Sequence, residues 1–376
     1  MINMSEHGQI RYSAARWVAS VALLLTASCA DLLNQGPQAE SPGVLLAGLE
    51  RACIGTWSDI NQCLAWSRDG STLFVVLPRD RDTVLIAVNA SAAATGSGAS
   101  AYRVIGNIGS PISIATAEAS TGVYFTRRST VEVGGYEVRR ISLASGDTTR
   151  VTNAFAADIA VTPDGTGVAY HAYRGSLTVD SIAIIDVASG TRRAATVGGA
   201  TAVGVFSPDG KDLAMKAVAG DSSVIWHSTT GIRETPRESS ALGGAPRGGG
   251  IGLTSRGFAT LFSSSTNGGA IETAVATGEA ITYAPRDATF RGSYAWSPAS
   301  SRLFIADGGT CESRGNCSTT THTYLVVSSP GGVRVIGSVN AGGVIHNFRY
   351  FSASPDGRWL AYSAGYGQLY LLPAGF

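Results

Sequence analysis

The stretch Phe351-Ser352-Ala353-Ser354-Pro355-Asp356-Gly357-Arg358-Trp359-Leu360-Ala361-Tyr362 reads as two short strands joined by a Ser-Pro-Asp-Gly turn. Proline presets φ at the second turn position, aspartate can hydrogen-bond its own backbone, and glycine accepts the left-handed φ that closes the hairpin. The unit recurs. Turns of this kind begin at Ser67, Thr162 and Ser207, and versions with degraded turn chemistry begin at Thr116, Thr254 and Ser297. Each is flanked by a short apolar strand before it (Asp158 to Val161, Val203 to Phe206) and another after it (Val168 to Ala172, Leu303 to Ala306). A third strand follows, as in Ser181 to Asp186, Thr323 to Ser328 and Gln368 to Leu372, and a more polar fourth closes most units, as in Thr191 to Val197. Four strands in a period of about 45 residues, met seven times, predict an all-β fold: a seven-bladed β-propeller with four-stranded blades.

The last unit reaches Phe376 after its third strand, while Val44 to Leu49 is an apolar run without a blade of its own. We expect that run to supply the missing outer strand, closing the ring and covering an exposed edge. The propeller therefore spans residues 43–376.

Composition agrees. Of 376 residues 44% are hydrophobic and only 15% charged, and 47 are glycine, the balance of many short strands with tight turns. A net charge of +1 gives no electrostatic footprint for nucleic acid or an anionic membrane surface.

Residues 1–28 read as a targeting segment. Arg11 and Arg16 give a positive n-region, and the apolar stretch Trp17 to Ala27 is too short for a membrane span but suits a secretory h-region. The ending Leu25-Thr26-Ala27-Ser28-Cys29 resembles the lipobox of bacterial lipoproteins, which implies lipid attachment at Cys29. An ordinary secretory signal with an incidental cysteine is the alternative. With Ala30 after the cysteine, a cell with two membranes would hold such a lipoprotein at its outer membrane, facing the periplasm or the cell surface. Residues 29–42 then read as a flexible tether. The other cysteines form two local pairs, Cys53 with Cys63 and Cys311 with Cys317, which in an oxidising compartment suggests two disulfides. Zinc is the rival, but neither spacing is a C-x-x-C.

Leu64-Ala65-Trp66-Ser67-Arg68-Asp69-Gly70, Phe206-Ser207-Pro208-Asp209-Gly210-Lys211 and Ser352 to Tyr362 resemble the WD-like propeller repeat of the TolB type. The resemblance covers residues 43–376. It implies the ring and leaves function open, because the same ring serves translocation partners, sensors, protease gates and lyases. The chain departs from TolB in having only a tether before the propeller, and from prolyl oligopeptidases in having no hydrolase domain after it.

For chemistry, the repeated carboxylates Asp69, Asp164, Asp209 and Asp356 read as structural turn caps rather than as an acidic ring. The mature histidines, His171, His227, His322 and His346, occupy unlike strand positions and form no H-x-H pair, so no metal site is expected. There is no G-x-S-x-G elbow or H-E-x-x-H helix, and we expect no catalytic residue and no cofactor. Gly248 to Gly252 and Gly96-Ser97-Gly98 lack the ending of a phosphate loop and read as loops between blades. The long segment Asp307 to Thr321, with Pro78 to Asp82, Arg127 to Gly135 and Tyr173 to Val179, should project from the face opposite the Asp-Gly turns. These carry Arg79, Arg81, Arg127, Arg128, Tyr173, Arg174 and Arg314, a recognition surface of arginine and aromatic side chains. The expected role is a membrane-anchored binding scaffold whose partner is an envelope protein or extracellular ligand. The alternative is a polysaccharide lyase or hydrolase acting at the channel mouth.

Overall fold

Each Asp-Gly turn joins a short strand to a longer one. Leu64–Trp66 pairs antiparallel with Thr72–Arg79, Ile159–Val161 with Gly167–Arg174, and Arg349–Ala353 with Trp359–Ala364. The structure, a computed structural model, describes residues 43–49, 52, 63–79, 82–96, 98–116, 121–130, 135–155, 158–174, 178–196, 200–217, 223–227, 231–234, 250–254, 257–263, 270–274, 280–283, 294–297, 302–307, 322–329, 332–340, 349–364 and 368–373. Residues 1–42, with Cys29 and the tether, lie outside them, as do Cys53, Arg81, Cys311, Arg314, Cys317 and His346.

Among the described residues the strands make seven four-stranded antiparallel sheets. Six are formed of consecutive strands. The first holds Leu64–Trp66, Thr72–Arg79, Asp82–Asn89 and Tyr102–Asn107; the second Pro111–Ala115, Gly122–Arg128, Tyr136–Ser142 and Thr148–Ala154. The third holds Ile159–Val161, Gly167–Arg174, Thr178–Asp186 and Arg192–Thr196; the fourth Ala200–Phe206, Asp212–Ala217, Ser223–His227 and Gly231–Glu234. The fifth begins at Gly250–Thr254 and the sixth at Tyr294–Ser297. In the seventh, Arg349–Ala353, Trp359–Ala364 and Gln368–Pro373 are joined by Val44–Leu45, with Val44 opposite Leu371. The first strands of successive sheets stand side by side, and Arg349–Ala353 stands beside Leu64–Trp66.

The core lies between sheets. Ala169, Ile182, Ile184, Val203, Leu213 and Met215 pack between the third and fourth, while Val168, Tyr170 and Ala172 face Tyr124 and Val138 of the second. A strand covered on both faces reads as a nearly continuous apolar run, which is why Gly167–Arg174 (GVAYHAYR) shows little alternation. Burying each such Val, Ile or Tyr side chain contributes about 1.5–3 kcal/mol before ordering costs.

Four local expectations change. The Val44 to Leu49 run is a strand only over Val44–Leu45, because Leu46 and Leu49 turn inward and are buried. The segment Pro78 to Asp82 is mostly strand: strands extend to Arg79 and from Asp82, which face each other. Pro78 lies beyond Val75 and Val76, the last residues of its strand that bond the first strand and Cys63 among the described residues, so its missing N–H breaks none of those bonds. Gly96 and Gly98 lie inside the first sheet rather than between sheets, following the short helix α1 (Ala90–Ala94). Asn89 caps that helix by accepting from the Ala92 N–H at 2.9 Å. Gly250 to Gly252 belong to the first strand of the fifth sheet.

Candidate functional site

Four turns share one hydrogen-bond pattern. In the first, the Ser67 hydroxyl donates to Asp69 Oδ1 at 2.6 Å, the Ser71 N–H donates to the same oxygen at 3.0 Å, and the Thr72 N–H donates to Ser67 Oγ at 2.9 Å. Gly70 closes the turn at φ +67°. Thr162 and Asp164, Ser207 and Asp209, and Ser354 and Asp356 repeat the 2.6 Å hydroxyl bond. These bonds hold Asp69, Asp164 and Asp209 below the usual carboxylate range. Burial pushes Asp356 up, but the bonds from Ser354 and Arg358 outweigh it and the net shift is also downward.

A cleft of about 270 Å³ opens where the turn ends of the third and fourth sheets meet. Asp164, Asp186 and Asp209 line it with Arg193, Pro208 and the carbon wall of Pro163 and Ile184. Asp186 starts the turn into the fourth strand, where it accepts from the Ser189 N–H and hydroxyl, both at 2.7 Å, which lowers its pKa. Carboxylates held ionised in this way are acceptors for a ligand's hydroxyl or ammonium groups and are poor general acids at neutral pH. Arg193 adds a donor for an oxyanion. Asp186 and Arg193 escaped the sequence reading. Their signal is a second repeat, Ala144-Ser145-Gly146 and Ala188-Ser189-Gly190, which marks the turn between third and fourth strands.

Hairpins between second and third strands leave from the opposite ends of the sheets. Arg79 and Arg128 are exposed there, at strand ends. Arg127 is already engaged: its Nε and Nη2 both lie 3.2 Å from Glu137 Oε2, and Arg139 Nη1 donates to the same oxygen at 3.0 Å. Glu137 is 3% exposed. Burial raises its pKa, but the bonds from Arg139 and Arg127 bring it below normal. For Tyr173, Arg174, His227 and His322 only strand positions are described. His171 is 2% exposed, and neither ring nitrogen is hydrogen-bonded among the described residues; burial lowers its pKa, opposed by the Asp158 charge. Among the described residues no three His, Cys, Asp or Glu side chains cluster to hold a metal ion.

No family model matches the sequence, and no curated protein matches it. Solved structures do. Oligogalacturonate lyase in complex with manganese aligns over 90% of this chain and 95% of its own, at TM-score 0.61 and 12% identity. A streptogramin B lyase structure aligns over 89% and 95%, at TM-score 0.53 and 12% identity. TolB from Acinetobacter baumannii aligns over 83% of this chain and 56% of its own, at TM-score 0.40 and 16% identity, too loosely to carry an argument. At these identities the likeness is one of fold alone, and the fold is of the β-propeller type.

Proposed function

We propose that the chain is an exported, lipid-anchored seven-bladed propeller that works as a binding ring in the cell envelope. The seven four-stranded sheets and the side-by-side order of their first strands support the blade count. Pairing of Val44–Leu45 with Gln368–Pro373 supports closure of the ring by the N-terminal strand. Export and anchoring at Cys29 rest on the N-terminal sequence alone. The proposed Cys53–Cys63 disulfide is supported by Cys63, which is buried and disulfide-bonded.

The observation that carries the binding reading is the cleft between the third and fourth sheets. It offers three ionised carboxylates, from two turns and the end of a third strand, and one guanidinium from a fourth strand, which suits recognition of a polar ligand more than proton transfer to one. The exposed Arg79 and Arg128 at the opposite ends of the sheets offer a second contact area.

The test is a crosslinking pull-down from native envelopes, using the full chain tagged after Phe376. The reading expects a reproducible protein partner that is lost when Pro208→Trp fills the cleft. Turnover of a polysaccharide by the purified chain, with no partner captured, would move the function to the lyase or hydrolase class.

A further inference from the structure

Four arginines are spaced along the facing sides of the first and second sheets, from Arg103 at the Leu143 end to Arg127 at the other. Arg103, on the outer strand of the first sheet, reaches across it and donates to the Leu143 carbonyl of the second sheet at 3.2 Å. In the second sheet Arg139 and Arg150 are directly opposed, so their side chains share a face. Arg127 and Glu137 are opposed as well, and Arg139 joins Arg127 on the one carboxylate. Glu137 is therefore the carboxylate already bound here. Neither Arg103 nor Arg150 forms an ion pair with a described residue; Arg150 Nη2 donates to Asn153 Oδ1 at 2.6 Å. Arg139 is spent on Glu137 and on the Thr148 hydroxyl, at 3.0 and 3.3 Å, whereas Arg103 and Arg150 are exposed.

We propose that this seam docks an extended acidic segment of a partner protein, its carboxylates seated on Arg103 and Arg150. A guanidinium fork matches a carboxylate bidentately, and the Arg127–Glu137–Arg139 arrangement shows that pairing already built into the seam. A peptide is favoured over other anions by the sheet edge. Thr148–Ala154 is the last strand of its sheet and pairs on one side only among the described strands, so a peptide strand can add backbone hydrogen bonds where its acidic side chains meet arginine. The proposal rests on the binding-ring reading and names the chemistry of its partner.

The test is fluorescence anisotropy with the full chain in detergent and a labelled (Glu-Thr)₄ peptide. Vesicles containing phosphatidylglycerol and inorganic phosphate serve as competing anions. Saturable peptide binding that weakens with salt is expected, with a loss of about tenfold or more in the Arg103→Glu, Arg150→Glu double variant. Both positions are exposed; because Arg150 faces Arg139 and Arg103 bonds the Leu143 carbonyl, folding of the variant is checked by circular dichroism and urea denaturation. An Arg103→Gln, Arg150→Gln variant, which brings no new carboxylate to Arg139, should lose binding as well. No saturable peptide binding, equal binding by the double variant, or displacement by vesicles or phosphate as efficiently as by unlabelled peptide would each overturn the proposal. If the native partner is still captured by the double variant, the seam is wrong and the ring reading stands. If no partner is captured by either form, the ring reading fails first.

Discussion

The Trp66 indole N–H donates to the Ser352 carbonyl at 3.0 Å, joining positions 286 apart in the chain. Around this bond the first and seventh sheets are latched by neighbouring contacts. Arg358 Nη2 donates to the Asp69 carbonyl at 3.2 Å, and α1 of the first sheet packs beside Gln368–Pro373 of the seventh. Trp66→Phe removes this donor together with part of a buried ring, leaving the Ser352 carbonyl short of a partner. We expect a loss of about 1 kcal/mol, or about 2 °C in Tm, by calorimetry. No change in Tm would mean that the latch contributes nothing to stability.

Gly70 stands at φ +67°, and a Cβ there would lie 2.5 Å from the Asp356 carboxylate of the neighbouring turn. Gly70→Ala combines a left-handed backbone with that overlap, so urea denaturation should show a loss of about 2–3 kcal/mol. Gly190→Ala, also at positive φ but with open space around it, should lose about 1–2 kcal/mol from the backbone alone. Equal losses at the two sites would refute the close approach of the turns.

Neutralising the buried carboxylate at the seam should be more damaging. Glu137→Gln keeps the shape but leaves Arg127 and Arg139 with an uncharged acceptor in a buried setting, and denaturation should show a loss of about 3 kcal/mol. Because the carboxyl's pKa in the folded chain is lowered, its stabilising contribution is present above the unfolded value and lost as the pH falls through the folded one. Wild-type stability should therefore drop below about pH 4, and the variant should drop less there.

His171 titrates in a different window. Its folded pKa lies below the unfolded value, so the unfolded chain takes up the proton first, and stability falls as the pH drops below about 6.5. His171→Leu removes the two stranded ring nitrogens and that proton. The variant should be at least as stable at pH 7.5 and should show a flatter profile between pH 7.5 and 5. An unchanged slope would show that another group carries the acid sensitivity.

The repeat was legible because a turn states its chemistry locally: serine or threonine, then aspartate, then glycine at fixed offsets, as at Ser354, Asp356 and Gly357. The position of Val44 in the seventh sheet was legible too, since that sheet lacked one strand in sequence. The cleft was not, because Asp186 and Arg193 meet Asp209 only when two sheets pack, and no local pattern encodes their distance. Arg127 shows the same limit. As an arginine at the end of a strand it resembled Arg128 next to it, but alternation along the strand sends it to Glu137. Gly96 follows a helix rather than a sheet because Asn89 caps the alanine run after it, a helix signal that the glycines alone do not carry.

The measurement that bears most directly on the binding ring is site-specific photocrosslinking in native envelopes. A photoreactive residue would replace Pro208 at the cleft wall in one sample and Ser129 at the opposite end of the second sheet in another. The account predicts a discrete adduct of constant mass from position 208, abolished by Arg193→Glu in the same chain. No adduct from either position, across independent envelope preparations, would contradict it.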